Sequence, residues 1–251
     1  MSEKNALLKG RLTPDRFGAS MPVDAPYYQQ PPFYWRDARS MTILYETDAE
    51  AAADLLPEGL ELPRPAHAAL MVVHYPASTV GPYSEAILGL RCAWQGAPQL
   101  YVARIVVDEV PPLVVGREIY GYPKKLAAID LSNDGEFLRG TVERPSDVRL
   151  VTAAMRIERP LETAAEAATP VLSLRVIPSP EQDTPPSVAE LVQVEDTERR
   201  VHEAWSGPAT LSYEARSALD PWHGLPVRQV LGGIYTRYDF TLPWARVLKR
   251  Y

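Results

Sequence analysis

Two adjacent lysines lie in the stretch Gly116-Arg117-Glu118-Ile119-Tyr120-Gly121-Tyr122-Pro123-Lys124-Lys125-Leu126. They follow a proline and sit between two apolar runs, Leu113-Val114-Val115 and Leu126-Ala127-Ala128-Ile129, that read as buried structure. Burying an ammonium is costly, so a lysine placed there tends to lose its proton and become a usable amine. Such an amine can attack a ketone and form a Schiff base, whose protonated form is an electron sink for a carbanion on the adjacent carbon. Loss of CO2 from a 3-oxo acid generates that carbanion as an enamine. Removing a methyl proton from pyruvate generates a similar one, which can add to an aldehyde. Other groups around the lysine decide which bond breaks.

The elements that must position the pair are short strands. The 25 prolines, about twice ordinary usage, are spread along the chain and punctuate apolar runs as turns do in β-rich folds. Strands are expected at 41–46, 69–75, 85–94, 100–107, 125–131, 137–143, 150–157, 171–177, 190–195, 210–213 and 235–242. Few helices are expected: 48–56, with Thr47 or Asp48 as N-cap and Pro57 as stop, 112–120, and a terminal turn at 244–249. The segment 178–187, rich in Pro, Asp and Glu, is the best loop. The pattern predicts one α+β, β-rich domain over 1–251, built on a large antiparallel, partly closed sheet, with 1–30 as an extended arm. If the chain turns from helix to strand at Gly121-Tyr122-Pro123, alternation sends Lys124 and Lys125 to opposite faces. Only one of them can then face the interior.

Composition excludes several classes of function. The net charge is -6 and no Lys/Arg block stands out, which argues against a nucleic-acid partner. The single Cys92 leaves no intrachain disulfide framework and suits a reducing cytoplasm. Zinc-ligand spacings, GxGxxG and Walker patterns are absent, and His67, His74 and His223 show no metal spacing, so no metal is expected. No apolar run approaches a bilayer span, and the first residues lack a signal-peptide core. A soluble cytoplasmic protein is expected. His202 and Glu203 read as strand leading into a turn at Trp205-Ser206-Gly207-Pro208.

The lysine motif resembles the signature of the acetoacetate decarboxylase superfamily. Tyr45-Glu46-Thr47-Asp48 with Leu56-Pro57-Glu58 is similar to its N-terminal part, and Val201 to Pro208 with Leu225-Pro226-Val227 to its C-terminal part. The resemblance spans residues 30 to 250. It implies a cone-like or barrel-like sheet, Lys124 as the imine-forming nucleophile and no cofactor beyond that covalent imine. It implies Lys125 as an accessory cation or a structural residue, and a homo-oligomer as the assembly. Acetoacetate decarboxylase is also the handiest known instance of a lysine activated by a neighbouring cation.

The same resemblance exposes departures. The family's decarboxylases pair the lysine with an arginine and two glutamates. Counted without gaps, one glutamate falls on Glu85 and the other on Leu70, while the arginine falls on Ala38, flanked by Arg36 and Arg39. Glu85 is therefore the candidate general acid/base, and Arg36 or Arg39 the candidate ligand for a substrate carboxylate. Tyr83, Tyr120, Tyr122 and Tyr235 are candidate pocket tyrosines. The missing charges favour pyruvate aldol condensation with an aldehyde, followed by dehydration, over decarboxylation of acetoacetate. A barrel that merely binds a small acidic or apolar ligand is the alternative from another class. A cyclase or hydratase acting on a larger intermediate is a third.

Overall fold

The computed structural model describes residues 7–162 and 169–251. The chain divides into a unit up to Gln30 and a unit from Pro31 onward. Residues 7–30 hold one short 3-10 turn, Pro14–Arg16, and no strand. The second unit begins β1 (Phe33–Glu46), α1 (Ala49–Ala53), β2 (Leu60–Glu61), β3 (His67–Tyr75), β4 (Ala77–Ser78), β5 (Tyr83–Trp94) and β6 (Ala97–Val107). Then come α2 (Val110–Glu118), β7 (Lys124–Leu126), β8 (Ala128–Asp134), β9 (Phe137–Glu143), β10 (Arg149–Arg156) and β11 (Arg159–Pro160). The remainder is β12 (Val171–Ile177), β13 (Val188–Val194), β14 (Thr197–Gly207), β15 (Ala209–Tyr213), β16 (Gln229–Leu242) and β17 (Arg246–Arg250).

Thirteen strands form one sheet in the order β11-β14-β16-β1-β3-β5-β6-β12-β13-β17, with β2 on β5, β4 on β1 and β7 on β6. Its pairings are antiparallel except β6 with β12 and β6 with β7, which are parallel. A four-stranded sheet, β15-β10-β9-β8, covers the middle of one face. Ile43, Leu70 and Leu88 of the large sheet meet Leu138, Val142 and Leu150 of the small one in a buried core. On its other face the large sheet curves around a cavity, so side chains from β1, β5, β6, β14 and β16 converge there. The large sheet is not closed into a barrel, because β11 and β17 remain its two ends.

Strand alternation decides which residues enter the cavity, and bulges change its parity. Register shifts fall between Trp35 and Ala38 in β1, between Val102 and Arg104 in β6, opposite Gly89 and Leu88, and between Val201 and Glu203 in β14. Phe33 and Trp35 face the cavity before the first shift, and Ser40 and Thr42 after it.

Most of the expected strands are present, many of them longer than expected, but the strand expected at 125–131 is split at Ala127 into β7, which joins the large sheet, and β8, which joins the small one. Two differences have clear causes. The terminal turn expected at 244–249 is instead β17, because Val247 and Lys249 pair with Val192 and Leu191 of β13, and that ladder outweighs local turn preference. The first half of β1, where Arg36-Asp37-Ala38-Arg39 breaks the apolar alternation at a bulge, was invisible to periodicity. Asp37 there adopts the left-handed conformation, with φ of 57°.

Gly140 of β9 sits where the two sheets touch. A Cβ at that position would lie 2.8 Å from Met41 Cε and 2.9 Å from Val72 Cγ2. Gly140→Ala is expected to cost about 1–3 kcal/mol by overpacking. A lower urea midpoint at unchanged slope would verify this, whereas an unchanged midpoint would mean that the inter-sheet contact is looser than these distances require.

Candidate active site

Lys124 opens β7, and its backbone pairs with Ile105 of β6. The turn that delivers it is tightly specified. The Tyr122 N–H donates to Gly116 O at 3.0 Å, closing the end of α2, and Gly121 adopts φ +69° with Arg175 packed where a Cβ would stand. Arg117 Nη1 donates to Lys124 O at 3.0 Å, and Arg175 Nε to Glu118 O at 2.8 Å. Gly116 backs the lysine itself: a Cβ there would lie 2.7 Å from both Lys124 Cδ and Cε.

The two lysines separate by face, as alternation requires. Lys125 is solvent-accessible and pairs with Asp220 Oδ1 at 2.9 Å, and it also donates to Leu219 O. Asp220 is buried and is held from its other oxygen by Arg144 Nε at 3.0 Å. That arrangement ties the loop before the 3-10 turn Trp222–Gly224 to the sheet. Lys124 goes inward. Its Nζ lies 2.6 Å from Glu85 Oε2, with both side chains only 6 % exposed.

The walls around this pair are aromatic. Tyr75 OH donates to Glu85 Oε1 at 3.3 Å, and Trp35 Nε1 donates to Tyr83 OH at 3.2 Å. Lys124 Nζ lies 5.6 Å from the Tyr83 ring centre and 5.8 Å from that of Tyr122, within cation–π range. Burial pushes the Tyr75, Tyr83 and Tyr122 phenols well above their ordinary range, and the Glu85 charge adds to the effect. Burial likewise raises Tyr238 to about 12. These phenols are protonated near neutral pH. Tyr120 lies behind Tyr122, stacked at 5.6 Å between centroids, and donates to Pro243 O at 2.9 Å.

Lys124, Glu85, Tyr83, Tyr120 and Tyr122 thus line one cavity of about 690 Å3. The structure does not bring Arg36, Arg39 or Tyr235 to it. The Arg36 guanidinium lies against the outside of β1, donating to the carbonyls of Trp35 at 2.8 Å and Phe240 at 3.2 Å. Arg39 pairs with Asp37 at 2.8 Å and shares with Tyr235 a separate cleft that Glu203 and Arg237 also line. The reason is parity: Ile234, Thr236 and Tyr238 of β16 face the cavity, so Tyr235 faces the other way. Leu70 lies in the inter-sheet core, and its cavity-facing neighbour is Met71, so neither position supplies a carboxylate.

Sequence reasoning missed Tyr75, whose place directly opposite Tyr83 follows from the β3–β5 register. It also missed Arg199, the one arginine lining the cavity among the described residues. Arg199 stacks over Tyr238 at 4.1 Å and pairs with Asp196 at 2.8 Å. The only signal was the charged run Glu195-Asp196-Thr197-Glu198-Arg199-Arg200, which looks like exposed loop. Among the described residues no cluster of His, Cys, Asp or Glu is arranged to hold a metal, and no helix is long and apolar enough to cross a membrane.

A curved sheet enclosing a buried lysine–carboxylate pair defines the class of this protein. Residues 20–251 match the family described as acetoacetate decarboxylase (ADC), a family of lyases, and the chain belongs to it. It is 30% identical over 236 residues to the acetoacetate decarboxylase of Clostridium acetobutylicum, covering 92% of this chain and 95% of that one. The acetoacetate decarboxylase of Streptomyces nogalater is 34% identical over 237 residues, again with 92% and 95% covered. Among solved structures, an acetoacetate decarboxylase superposes with a TM-score of 0.88 at 28% identity, covering 96% of this chain and 99% of that one. The enduracididine biosynthesis enzyme MppR complexed with pyruvate shares the fold, with a TM-score of 0.77 at 21% identity over 92% of this chain and 96% of that one.

Two outcomes are expected from this geometry. Gly116→Ala should displace the lysine from Glu85 and lower turnover at least tenfold in protein that still folds, read by steady-state kinetics beside circular dichroism; unchanged turnover would show that the lysine has room to move aside. The raised phenols also set an alkaline limit. Below pH 10 folded and unfolded tyrosines are both protonated; above it the unfolded chain loses protons that the folded chain keeps. Stability should therefore fall as pH rises from 10 towards 12, measured as a declining urea midpoint, and a flat profile would contradict the burial of these hydroxyls.

Proposed function

We propose that the protein decarboxylates a 3-oxo acid through an imine on Lys124. The observation carrying this reading is the Lys124–Glu85 pair, 2.6 Å apart and nearly excluded from water, at the wall of an otherwise largely apolar cavity. Proton transfer from Nζ to Oε2 gives a neutral amine and a carboxylic acid. The amine adds to the ketone carbon, and Glu85 returns the proton to the departing oxygen, which leaves as water. The resulting iminium is positive and stands beside the regenerated Glu85 carboxylate.

The C–C bond then breaks with its electron pair flowing into the iminium nitrogen, giving CO2 and a neutral enamine. A proton taken from solvent and relayed by Glu85 adds to the terminal carbon. Water then attacks the new iminium and releases a methyl ketone, and the ion pair is restored. The net change is one 3-oxo acid anion and one proton converted to a ketone and CO2. Apolar walls assist the cleavage step, because a substrate carboxylate deprived of water loses charge as CO2 departs. Tyr75 holds the Glu85 carboxylate in place.

Sequence alone put pyruvate condensation and dehydration first. The apolar lining moves decarboxylation ahead, as do relatives named acetoacetate decarboxylase at 30 to 34% identity over nearly their whole length. Condensation keeps the pyruvate carboxylate, which requires a free cation to hold it. The one cavity arginine among the described residues, Arg199, is already paired with Asp196.

Borohydride reduction in the presence of acetoacetate should trap an adduct on Lys124, located by peptide mass spectrometry. Lys124→Ala should abolish both the adduct and CO2 release, and Glu85→Gln should lower kcat by about a hundredfold or more. Removing one partner of a buried pair costs about 3–5 kcal/mol, so folding of each variant is checked by circular dichroism. An adduct with pyruvate alone, with aldehyde consumption and no CO2 from acetoacetate, would transfer the assignment to the condensation reaction.

A further inference from the structure

The cavity is far larger than a four-carbon acid needs. Its volume of about 690 Å3, set against the roughly 30 Å3 that one water occupies in the liquid, would leave on the order of twenty waters around acetoacetate. Pockets of this size enclose whole drug-sized molecules.

The surplus space is chemically lopsided. Across the sheet, Thr42 lies opposite Met71, Met71 opposite Ile87, Ile87 opposite Ile105, and Ile105 beside Lys124, so one row of side chains leads up to the lysine. On one side of that row stand Glu85 and Tyr83, with the polar atoms of the reaction. On the other side β6 continues through Val102 to Leu100, where β12 adds Val171. From Ile105 to Leu100 this wall extends for about 15 Å at the rise of a β-strand. Gly89 has no side chain, and the Leu100 side chain fills the place its Cβ would take, which keeps the wall smooth.

Resting on the decarboxylase reading above, we infer that the substrate is a 3-oxo acid whose ketone carries an apolar substituent of roughly five or more carbons, alkyl or aromatic. The carboxylate and ketone lie at Lys124 and Glu85. The substituent lies along Ile87, Ile105, Val102, Leu100 and Val171. The product is then a long-chain methyl ketone, and the reaction that supplies the substrate is one that builds or oxidises a medium-length acyl chain to the 3-oxo level.

The test is a chain-length series on the unmodified protein: acetoacetate, 3-oxohexanoate, 3-oxooctanoate and 3-oxodecanoate, with CO2 release measured and borohydride trapping run beside each. Removing each methylene from water should raise kcat/KM about fourfold, so the series should climb until the wall ends. Inhibition by the product ketones should follow the same order, from acetone upward. Val102→Trp should reverse the order, with acetoacetate then preferred over 3-oxodecanoate; if that variant does not fold, the ketone inhibition series in the unmodified protein decides. A series that is flat or falls from acetoacetate overturns the inference while leaving CO2 release, and so the decarboxylase reading, intact. No adduct and no CO2 with any 3-oxo acid would overturn both.

Discussion

Placing an ammonium and a carboxylate out of water costs several kcal/mol for each ion, and only close contact and further hydrogen bonds offset it. The Lys124–Glu85 pair meets this condition with a 2.6 Å contact, the Tyr75 hydroxyl on the second carboxylate oxygen, and aromatic faces around the ammonium. Much of the surrounding construction serves to hold this arrangement. The parallel pairing of β7 with β6 fixes the lysine backbone against Ile105, two strands from Glu85 by way of neighbouring rungs. Gly116 and Gly121 let the end of α2 approach closely enough for the side chain to run along it. A surface lysine requires none of this.

The large sheet has two faces with different tasks. One is filled by the small sheet in a buried apolar core, which keeps the strands in fixed register. The other is left open as the cavity. Because every side chain on a strand belongs to one face or the other, the bulges in β1, β6 and β14 are what decide the lining. The bulge in β1 leaves Trp35 and Ser40 on the same face, five positions apart, an arrangement that strict alternation forbids.

That constraint explains what was legible in the sequence. The strand-rich fold could be read from proline punctuation and short apolar runs, and the opposite fates of Lys124 and Lys125 from alternation over a few residues. The family resemblance carried Glu85 to its position without any gap. Tyr235 went astray because a count along β16 from a distant motif does not determine parity, and a neighbour one residue away faces the cavity instead. Arg36 and Arg39 flank a bulge, where side-chain direction depends on a backbone turn at Asp37 that no periodicity reveals. Arg199 sits in a charged run that resembles solvated loop, yet Tyr238 and Asp196 draw its guanidinium to the cavity wall. In each case the missing information was which face of a strand, set by register across the sheet rather than by the residue type.

The apolar residues at positions 70 and 38 have a different meaning once the cavity is in view. Read along the chain, Leu70 and Ala38 look like lost catalytic charges and suggest a different reaction. In three dimensions Leu70 belongs to the inter-sheet core, so a carboxylate there would have no access to Lys124. Ala38 is fully buried opposite Tyr238. The charges that do line the cavity among the described residues are mostly arranged in pairs: Lys124 with Glu85, and Arg199 with Asp196. Each pair is internally neutral, and the remaining lining carboxylate, Glu162, lies exposed to solvent; in the proposed reaction the main change of charge would occur at the lysine itself. Under that proposal, iminium formation would turn the nitrogen into a fixed cation, and bond cleavage would discharge it. A site with one adaptable carboxylate and apolar surroundings is suited to this, because stabilisation appears where charge develops and is absent where the substrate merely rests.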